Sequence, residues 1–590
     1  PVLGDIYHSQ PRIVNPPTTT MYFYDYGFLD AGELGVHDYQ LFMQEQSKRR
    51  RVVVVGGNDG ILHGHDGGAW DRDDGGDYDD VHDLGTGTEM FGFVPQAVTH
   101  RLYNMTYGTE QQYLVDGQTT VADVFISPDG VADREWRTIA ISTMRRGGRG
   151  MVALDITQPD PTSGTDHIPN VPSDDMPGCL TGGTGCAGNY PELLWEFIDT
   201  TDENSNCPPA LAGDECEPYW DLGWTWSEPA VARVAVHTGT DTPPDDLYIA
   251  FFGGGWDQQQ QDYTGTHVYG VNIETGEIVF KNAYTISIPG GVMALDSDLD
   301  GFHDRIYFGD TDGGLWRLTL AGPSDSAAEG IVGGALTGVS ETKIFDFSAD
   351  FPTRLDAVTS EPLFRSQFFA RPITVPASFD AGQYKWALAI GTGDRANLDD
   401  RSPVVDIAGG INESDHFFFV LDYGDDTTRT AADLVPISYS DLDGTFDCDS
   451  SALTPGDGNF GWYLELREDE KVNYEAKVID GYVLFPTFEA TDELADEPPD
   501  LCPGSGFDFG DETPEDQPIC RAAGIGRAYK LWFECGQGET VEINDIITGT
   551  EDYTIDGKTY VTFTVSEAQP GYTEEFTSPR GYELTNWRQE

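Results

Sequence analysis

Short runs of apolar, β-branched residues alternate along the chain with glycine-rich turns. The first clear case is Arg51–Val55, which is followed by Gly-Gly-Asn-Asp-Gly at 56–60 and by a second run at 61–66. Runs of this length that flank a glycine-rich turn predict two strands joined by a tight connection. Helical periodicity is scarce, and the best case is the amphipathic stretch Asp38–Arg50.

The same unit of strand, glycine turn and strand recurs at irregular spacing. Five more copies begin with the runs at 136–142, 247–252, 305–308, 385–390 and 481–486, which makes six in all. Repeated units that cannot bury their own faces alone predict a β-propeller. We expect an all-β fold, an irregular, quinoprotein-like propeller of about seven blades, with the seventh closed by strands from both ends of the chain. A set of separate β-sandwich domains is the alternative.

Long polar insertions separate the units. We expect the propeller to span 1–535, with cysteine-rich insertions at 158–220, 422–457 and 489–524, and a tail at 536–590 that completes a blade or forms a small appendage. The longest apolar runs, such as His416–Leu421, fall far short of the ~20 residues that cross a bilayer. The sequence therefore predicts no membrane insertion.

Charge excludes several classes of partner. The chain has 590 residues, with 33 Lys+Arg against 102 Asp+Glu and a formal net charge of -69. Such a charge repels nucleic acid and anionic lipid surfaces, and it favours cations. It also predicts a protein that is stabilised by salt, because ions screen the repulsion between carboxylates.

The cysteines indicate an oxidising compartment. There are eight, an even number, and all lie in stretches rich in Gly, Pro and Asp. We predict local disulfides Cys179–Cys186 and Cys207–Cys216, and we assign Cys448–Cys502 and Cys520–Cys535 as a guess. Neither a C-x-x-C zinc or redox motif nor a C-x-x-C-H haem motif occurs. The chain begins at Pro1 without Met, so we expect it to be a piece of a longer, exported precursor.

The sharpest chemical signal is the segment 296–304, which reads D-x-D-x-D-G-x-x-D. Its candidate ligands are the carboxylates of Asp296, Asp298, Asp300 and Asp304 and the main-chain carbonyl of Phe302. All-oxygen ligands at this spacing favour Ca²⁺. Tyr307 stands where an EF-hand has its bidentate Glu, and both flanks read as strands. We therefore expect a calcium loop inside a β-hairpin, with a solvated acidic turn as the alternative.

Other candidates are weaker. Asp441, Asp443 and Asp447 form a poorer copy of the loop, and Asp71–Asp80 reads as a solvated acidic loop. We expect His63 and His65 on opposite faces of one strand, where they cannot easily share a metal. Familiar catalytic motifs such as G-x-S-x-G and H-E-x-x-H are absent from the sequence, so we predict that the chain is not an enzyme.

The segment 145–150, Arg-Arg-Gly-Gly-Arg-Gly, is a basic island in an acidic chain. It is either a local charge partner for nearby carboxylates or a docking spot for an acidic partner.

An ordered series of segments resembles one known family. The series runs GDIYHSQP (4–11), RRVVVVGGNDGILHGHD (50–66), FGFVPQAV (91–98), YLVDG (113–117), LLWEF (193–197), LGWTWSEPAVARV (222–234), DSDLDGFHDRIYFGDTDGGLWRLTL (296–320), ARPITVPAS (370–378), AIGTGDR (389–395) and GWYLEL (461–466). It resembles the C-terminal propeller domain of the PilC/PilY family of type IV pilus tip-associated adhesins and assembly factors.

The resemblance carries functional expectations. Members are exported, have an N-terminal region that this chain lacks, and sit at the pilus tip above minor pilins. They promote pilus extension or oppose retraction, and they aid attachment to host or abiotic surfaces through receptors that the sequence does not reveal. Their calcium loop corresponds here to Asp296, Asp298, Asp300, Phe302 and Asp304. This chain lacks Arg-Gly-Asp, so integrin binding is not expected.

Two other functions share the predicted fold. A propeller quinoprotein dehydrogenase is one, because Asn272–Phe280 resembles one of its blade motifs; a single copy and the lack of an adjacent Cys-Cys pair argue against it. An integrin-like calcium propeller with a purely adhesive role is the other, although it would carry several good calcium loops.

Overall fold

The computed structural model describes most of the strand-forming part of the chain. The described residues are 4–17, 39–70, 82, 84–107, 112–127, 134–159, 190–198, 222–236, 245–256, 264–322, 330–332, 334–349, 354–355, 362–364, 367–380, 383–395, 398, 414–437, 460–467, 469–490, 524–536, 538–543, 547–555, 558–565 and 572–576. The chain divides into two compact units. The first unit consists of Pro1–Tyr307 and Leu318–Glu341, and the second consists of Phe308–Arg317 and Thr342–Gln589.

The first unit contains three four-stranded antiparallel sheets. The first sheet is β1 (Arg12–Val14), β2 (Arg51–Gly56), β3 (Leu62–Gly68) and β4 (Glu89–Phe93). The second is β5 (Thr119–Ile126), β6 (Glu135–Thr143), β7 (Gly150–Asp155) and β8 (Glu192–Ile198). The third is β9 (Ala230–Val236), β10 (Asp245–Gly253), β11 (His267–Asn272) and β12 (Ile278–Ala283). In each sheet, strands that are neighbours in sequence are neighbours in space.

The fourth sheet has residues in both units. Its strands are β13 (Met293–Leu295), β14 (Arg305–Gly309), β15 (Gly314–Thr319) and β18 (Ser340–Asp346). Between β15 and β18 in the sequence, β16 (Gly330–Val332) and β17 (Ala335–Thr337) form a separate hairpin. A second small hairpin joins β19 (Arg354–Leu355) to β20 (Pro362–Phe364).

The second unit contains the remaining sheets. The fifth is β21 (Ile373–Asp380), β22 (Gln383–Gly391), β23 (His416–Asp422), β24 (Val435–Ile437) and β25 (Gly461–Glu465), in the order 21-22-23-25-24. The sixth is β26 (Glu470–Val472), β27 (Lys477–Ile479), β28 (Tyr482–Ala490), β29 (Gly524–Trp532) and β30 (Gly538–Ile543). A three-stranded sheet follows, β31 (Ile547–Ile555), β32 (Lys558–Val565) and β33 (Tyr572–Phe576).

Sheets that follow one another in sequence pack face to face within each unit. Val52 and Val54 of β2 share one core with Ala140 and Val152 of the second sheet. A second core joins the second and third sheets, and in the other unit a third core joins the fifth and sixth sheets. Successive four-stranded sheets packed in this way are the blades of a propeller.

Each of the six predicted strand-turn-strand units lies at the centre of one of these six sheets. Among the described residues, strands from the two chain ends do not pair with each other to close a blade, contrary to expectation: β1 completes the first sheet by pairing with β2, and β31–β33 form a seventh sheet of their own.

Helices are few in the described part of the chain. They are α1 (Tyr39–Gln46), α2 (Gln96–Thr99) and α3 (Leu102–Tyr107). The predicted helix at 38–50 is shorter than expected, because Arg49 and Arg50 leave it to bind Thr138 and Asp66. Among the described residues, no helix is both long and apolar enough to cross a membrane.

Candidate metal centre

The predicted calcium loop connects the two antiparallel strands β13 and β14. Leu295 is paired with Arg305 at the base, and the Asp304 N–H donates to the Leu295 carbonyl at 3.0 Å. Tyr307, at the position of an EF-hand glutamate, is buried within β14. The prediction of a β-hairpin rather than a helix-loop-helix is therefore confirmed.

Backbone hydrogen bonds to Asp296 shape the turn. Its two carboxylate oxygens accept from the N–H groups of Asp300 at 3.1 Å and Gly301 at 2.8 Å. Gly301 has φ 94°, and Leu299 has φ 62°. Glycine adopts this left-handed conformation without steric cost, which explains its place in the motif.

Three of the predicted ligands converge. One carboxylate oxygen each from Asp296, Asp298 and Asp300 lie within 4.8 Å of one another. Oxygens that share one Ca²⁺ at about 2.3–2.6 Å can be up to ~5 Å apart, so the spacing fits a single ion. This is the only such group of His, Cys, Asp or Glu within the described ranges.

The other two predicted ligands have different surroundings. Both carboxylate oxygens of Asp304 accept hydrogen bonds from Ser297, from its N–H at 2.7 Å and its hydroxyl at 2.5 Å. Phe302 donates its N–H to Asp300 at 2.9 Å, and its ring is buried. Asp304 thus fastens the two ends of the loop together, while the three other aspartates face one another.

Three carboxyl groups of the loop, those of Asp296, Asp300 and Asp304, have pKa values above that of an ordinary aspartate. Burial, together with the charges of Asp300 and Asp298, raises the pKa of Asp296 to about 7, although the hydrogen bond from the Gly301 N–H lowers it. Burial likewise raises the pKa of Asp300 to about 6 and that of Asp304 in the same direction. A bound cation would relieve the repulsion between these neighbouring carboxylates.

A buried wall lies behind the loop. The His303 N–H donates to the Arg233 carbonyl at 2.8 Å, and the Arg233 N–H donates to His303 Nδ1 at 3.0 Å. The Arg233 guanidinium lies 4.5 Å from the centroid of the Phe302 ring and binds Asp246 at 2.7 Å. These contacts anchor the loop to β9 and β10.

Sequence reasoning did not identify Ser297, His303 or Arg233. Ser297 and His303 fall between the motif's fixed positions. Arg233 lies about 70 residues upstream on β9, in a different sheet from β13 and β14, and meets the loop through tertiary packing.

The prediction for His63 and His65 is wrong. Residues two apart on a strand share a face, and the two rings are stacked with centroids 5.7 Å apart. His63 lies between two carboxylates, with Nδ1 2.8 Å from Glu89 and Nε2 3.0 Å from Asp59. Both ring nitrogens are therefore engaged by acids of the same sheet.

Several sequence candidates lie outside the described residues. These are the acidic loop Asp71–Asp80, the poorer loop copy at Asp441, Asp443 and Asp447, and seven of the eight cysteines. Cys535 is disulfide-bonded and buried. The four pairings stay predictions.

Comparisons with known proteins point to one family. The family model described as PilY1 beta-propeller domain matches residues 3–175. The type IV pilus biogenesis factor PilY1 of Pseudomonas aeruginosa (strain UCBPP-PA14) is 29% identical over 330 residues, which cover 54% of this chain and 21% of that protein. A PilY1 homolog of Xylella fastidiosa (strain Temecula1 / ATCC 700964) is 29% identical over 325 residues, covering 54% of this chain and 19% of the homolog.

A solved structure agrees in fold. The crystal structure of the Pseudomonas aeruginosa PilY1 C-terminal domain is similar over 91% of this chain and 95% of that chain, with a TM-score of 0.53 and 19% identity. The predicted resemblance to the PilC/PilY family is confirmed. The chain's sheets form a β-propeller like the one in that structure, so the predicted fold class is confirmed. This chain spans about a fifth of the length of the curated relatives it matches.

Proposed function

We propose that this chain is the propeller part of a type IV pilus biogenesis factor. The observation that carries the proposal is the sequence similarity to curated relatives that are named type IV pilus biogenesis factors. In this proposal the protein acts outside the cell at the pilus tip, bound to minor pilins, and promotes pilus assembly or opposes retraction. Its role is non-catalytic, and it also contributes to surface attachment.

Calcium binding at the hairpin loop is part of the proposal. The convergence of Asp296, Asp298 and Asp300 supports it, because three carboxylates suit a hard divalent cation. Asp304 and the Phe302 carbonyl complete the expected ligand set. A bound Ca²⁺ supplies positive charge that offsets the carboxylates' mutual repulsion. The loop's own hydrogen bonds then hold β13 and β14 in register.

The pilus role is tested in the organism that makes this chain. An in-frame deletion of the gene should reduce surface pili and twitching, and a plasmid copy should restore both. Normal numbers of pili and normal twitching in the deletion strain would contradict the proposal whatever the metal content of the protein.

The calcium site is tested separately on the purified chain. Asp298→Asn changes an exposed carboxylate and should weaken Ca²⁺ binding at least tenfold by calorimetry, while leaving the circular dichroism unchanged. Glu277→Gln, a matched change at an exposed acid of the β11–β12 turn, should bind as the wild type does. Equal affinity in both variants would remove the site assignment.

The link between calcium and pili needs one further strain. If calcium acts through this loop, chromosomal Asp298→Asn should alter pilus number or twitching, whereas Glu277→Gln should not. Lost calcium binding with unchanged pili would leave the pilus role intact and remove calcium from it.

A further inference from the structure

The basic island at 145–150 is part of a larger cluster of arginines and aromatic rings in the first unit. Four chain segments form it: the N-terminal segment with Tyr7 and His8, the approach to β5 with Tyr113, the β6–β7 turn with Arg145 and Arg146, and the approach to β9 with Trp226. We call these six residues the arginine–aromatic cluster.

The rings form a continuous series. The Tyr7 ring lies 4.2 Å from His8 and 5.7 Å from Tyr113 between centroids. His8 lies 6.3 Å from Trp226, which in turn is 5.6 Å from Trp256. Asp116, which is buried, fixes the His8 ring through a 2.7 Å contact to Nδ1.

Guanidinium groups cover these rings. The guanidinium carbon of Arg145, which is buried, lies 3.8 Å from the centroid of the Trp226 ring, and that of the partly buried Arg146 lies 5.6 Å from Tyr113 and 5.9 Å from Trp226. Arg101 adds a third guanidinium, which donates to the carbonyls of Arg146 and Gly147 at 2.8 Å each. Stacking on rings orients a guanidinium so that its edge can meet carboxylates.

The backbone beneath the cluster is tightly built. Arg145 donates its N–H to the Thr225 carbonyl at 3.1 Å, and Thr225 donates to the Gly148 carbonyl at 3.3 Å. Gly147 packs so closely that an added Cβ would lie 1.4 Å from the carbonyl oxygen of Leu114. A cluster on a rigid base loses little entropy on binding.

The composition of the cluster indicates what it binds. Arginine, tryptophan and tyrosine are the residues enriched at the energetic centres of protein interfaces. Exposed apolar side chains adjoin it along the chain: Ile6 and Tyr7 precede His8, while Tyr103 and Met105 follow Arg101 on α3. A peptide offers both carboxylates and apolar side chains, whereas a polyuronate offers carboxylates alone. A nucleic acid extends beyond a cluster of this size, and the surrounding surface of a chain with a net charge of -69 repels its phosphates.

We propose that the arginine–aromatic cluster is a docking site for a carboxylate-rich peptide segment of a partner protein. This goes beyond the pilus role and beyond calcium, since it concerns other residues and another class of ligand. The positive charge is local, so the rest of the acidic surface repels the same peptide and confines it to the cluster.

The test uses a phage-displayed library of random dodecapeptides, selected on the purified chain at low salt. Selected peptides should be enriched in Asp and Glu beside aromatic or aliphatic residues. As labelled synthetic peptides they should bind at least tenfold more weakly to the double variant Arg146→Glu, Arg149→Glu. Arg146 belongs to the cluster, and Arg149 lies three residues further along the same basic island. Both are only partly buried, so the double variant should keep the wild-type melting temperature.

Lys281→Glu is the matched control, because Lys281 also lies over a ring, that of Tyr269 at 5.7 Å, but outside the cluster. It should leave peptide affinity within twofold of the wild type. Replacing the peptide's acids by their amides should weaken binding at least tenfold.

Three outcomes would overturn the proposal. One is recovery of no peptide above background or of peptides without acidic enrichment. Another is equal affinity for the wild type and the double variant. The third is arginine-dependent binding of oligo-guluronate without peptide binding, which would assign the cluster to an acidic polysaccharide.

Discussion

Asp310 shows how burial alone changes the chemistry of one residue. It lies under the β14–β15 turn and accepts hydrogen bonds from the N–H groups of Asp312 at 2.9 Å and Gly314 at 2.7 Å and from Trp316 Nε1 at 2.8 Å. Burial nevertheless raises its pKa to about 6, above the ordinary 3.8. The folded chain therefore favours the protonated carboxyl.

This pKa predicts a pH dependence of stability. When folding raises the pKa of a carboxyl group, the protonated group stabilises the folded state. This contribution is fully present below the pKa of the unfolded chain, and it is lost as the pH rises through the pKa of the folded chain. Asp310 should therefore cost stability between about pH 4 and 7, by up to ~3 kcal/mol for two pKa units. Asp310→Asn removes this effect, so its free energy of unfolding relative to the wild type should rise with pH in denaturant titrations.

Asp425→Asn is the control with the opposite sign. The Arg429 hydrogen bond lowers the pKa of Asp425, so its contribution is present above the ordinary pKa and is lost in acid. Relative to the wild type, this variant should therefore become less stable as the pH rises. A pH-independent difference between Asp310→Asn and the wild type would contradict the assignment.

At the scale of elements, β23 shows why some strands read as unbroken apolar runs. All seven of its residues are buried. Phe417 and Phe419 point into the core shared with the sixth sheet, while Phe418 contacts Phe345 and Phe347 on the other face. A strand covered on both faces loses the alternation that marks a half-exposed strand.

Phe417 makes a close ring contact with the neighbouring sheet. It is stacked on Phe485 of β28 with centroids 3.7 Å apart. Phe417→Ala should lower the free energy of unfolding by ~3–5 kcal/mol, because it removes buried area and leaves a cavity. Leu193→Ala, at a side chain on β8 that is 46% exposed, should change it by less than ~0.5 kcal/mol. Both variants are measured by thermal and denaturant unfolding. If Phe417→Ala and Leu193→Ala lowered the free energy of unfolding equally, this account of the core would be ruled out.

The strands could be predicted because their signal is local. Each central strand pair carries a β-branched or aromatic run and a glycine turn, and all of these were found from the sequence. The edge strand β24, which runs parallel to β25, carries no such run. The end of α1 was also missed, since Arg49 and Arg50 are drawn out of the helix by partners far along the chain.

At the candidate metal centre, too, the sequence predicted the local features but not the contacts with distant residues. The spacing of Asp296, Asp298 and Asp300 predicted their convergence, because a tight loop brings alternate residues together. The bonding of Ser297 to Asp304 and the wall of Arg233 and His303 depend on tertiary packing. The arginines at 145–149 were visible as a charge pattern, but the rings that hold them come from three other segments.

At the scale of the whole molecule, the scarce basic residues are used to neutralise buried acids. Arg317 binds Asp422 at 2.6 Å, Arg50 binds Asp66 at 3.1 Å, and Arg527 lies 3.6 Å from Glu470, with both side chains of each pair buried. Arginine suits this role because its planar guanidinium forms several hydrogen bonds at once. With 102 acids against 33 bases, the bases can pair one to one with only about a third of the acids.

That excess predicts how stability responds to salt. Folding brings the surface carboxylates closer together, and their repulsion falls as the screening length shrinks from ~10 Å at 0.1 M to ~3 Å at 1 M salt. The melting temperature should therefore rise from low salt to 1 M sodium chloride, measured with a chelator present so that calcium does not contribute. Near pH 4.1, the calculated isoelectric point, the net charge vanishes and the rise should largely disappear. Because preferential exclusion of salt from apolar surface would act at both pH values, an equal rise at neutral pH and at pH 4.1 would show that charge repulsion is not its cause.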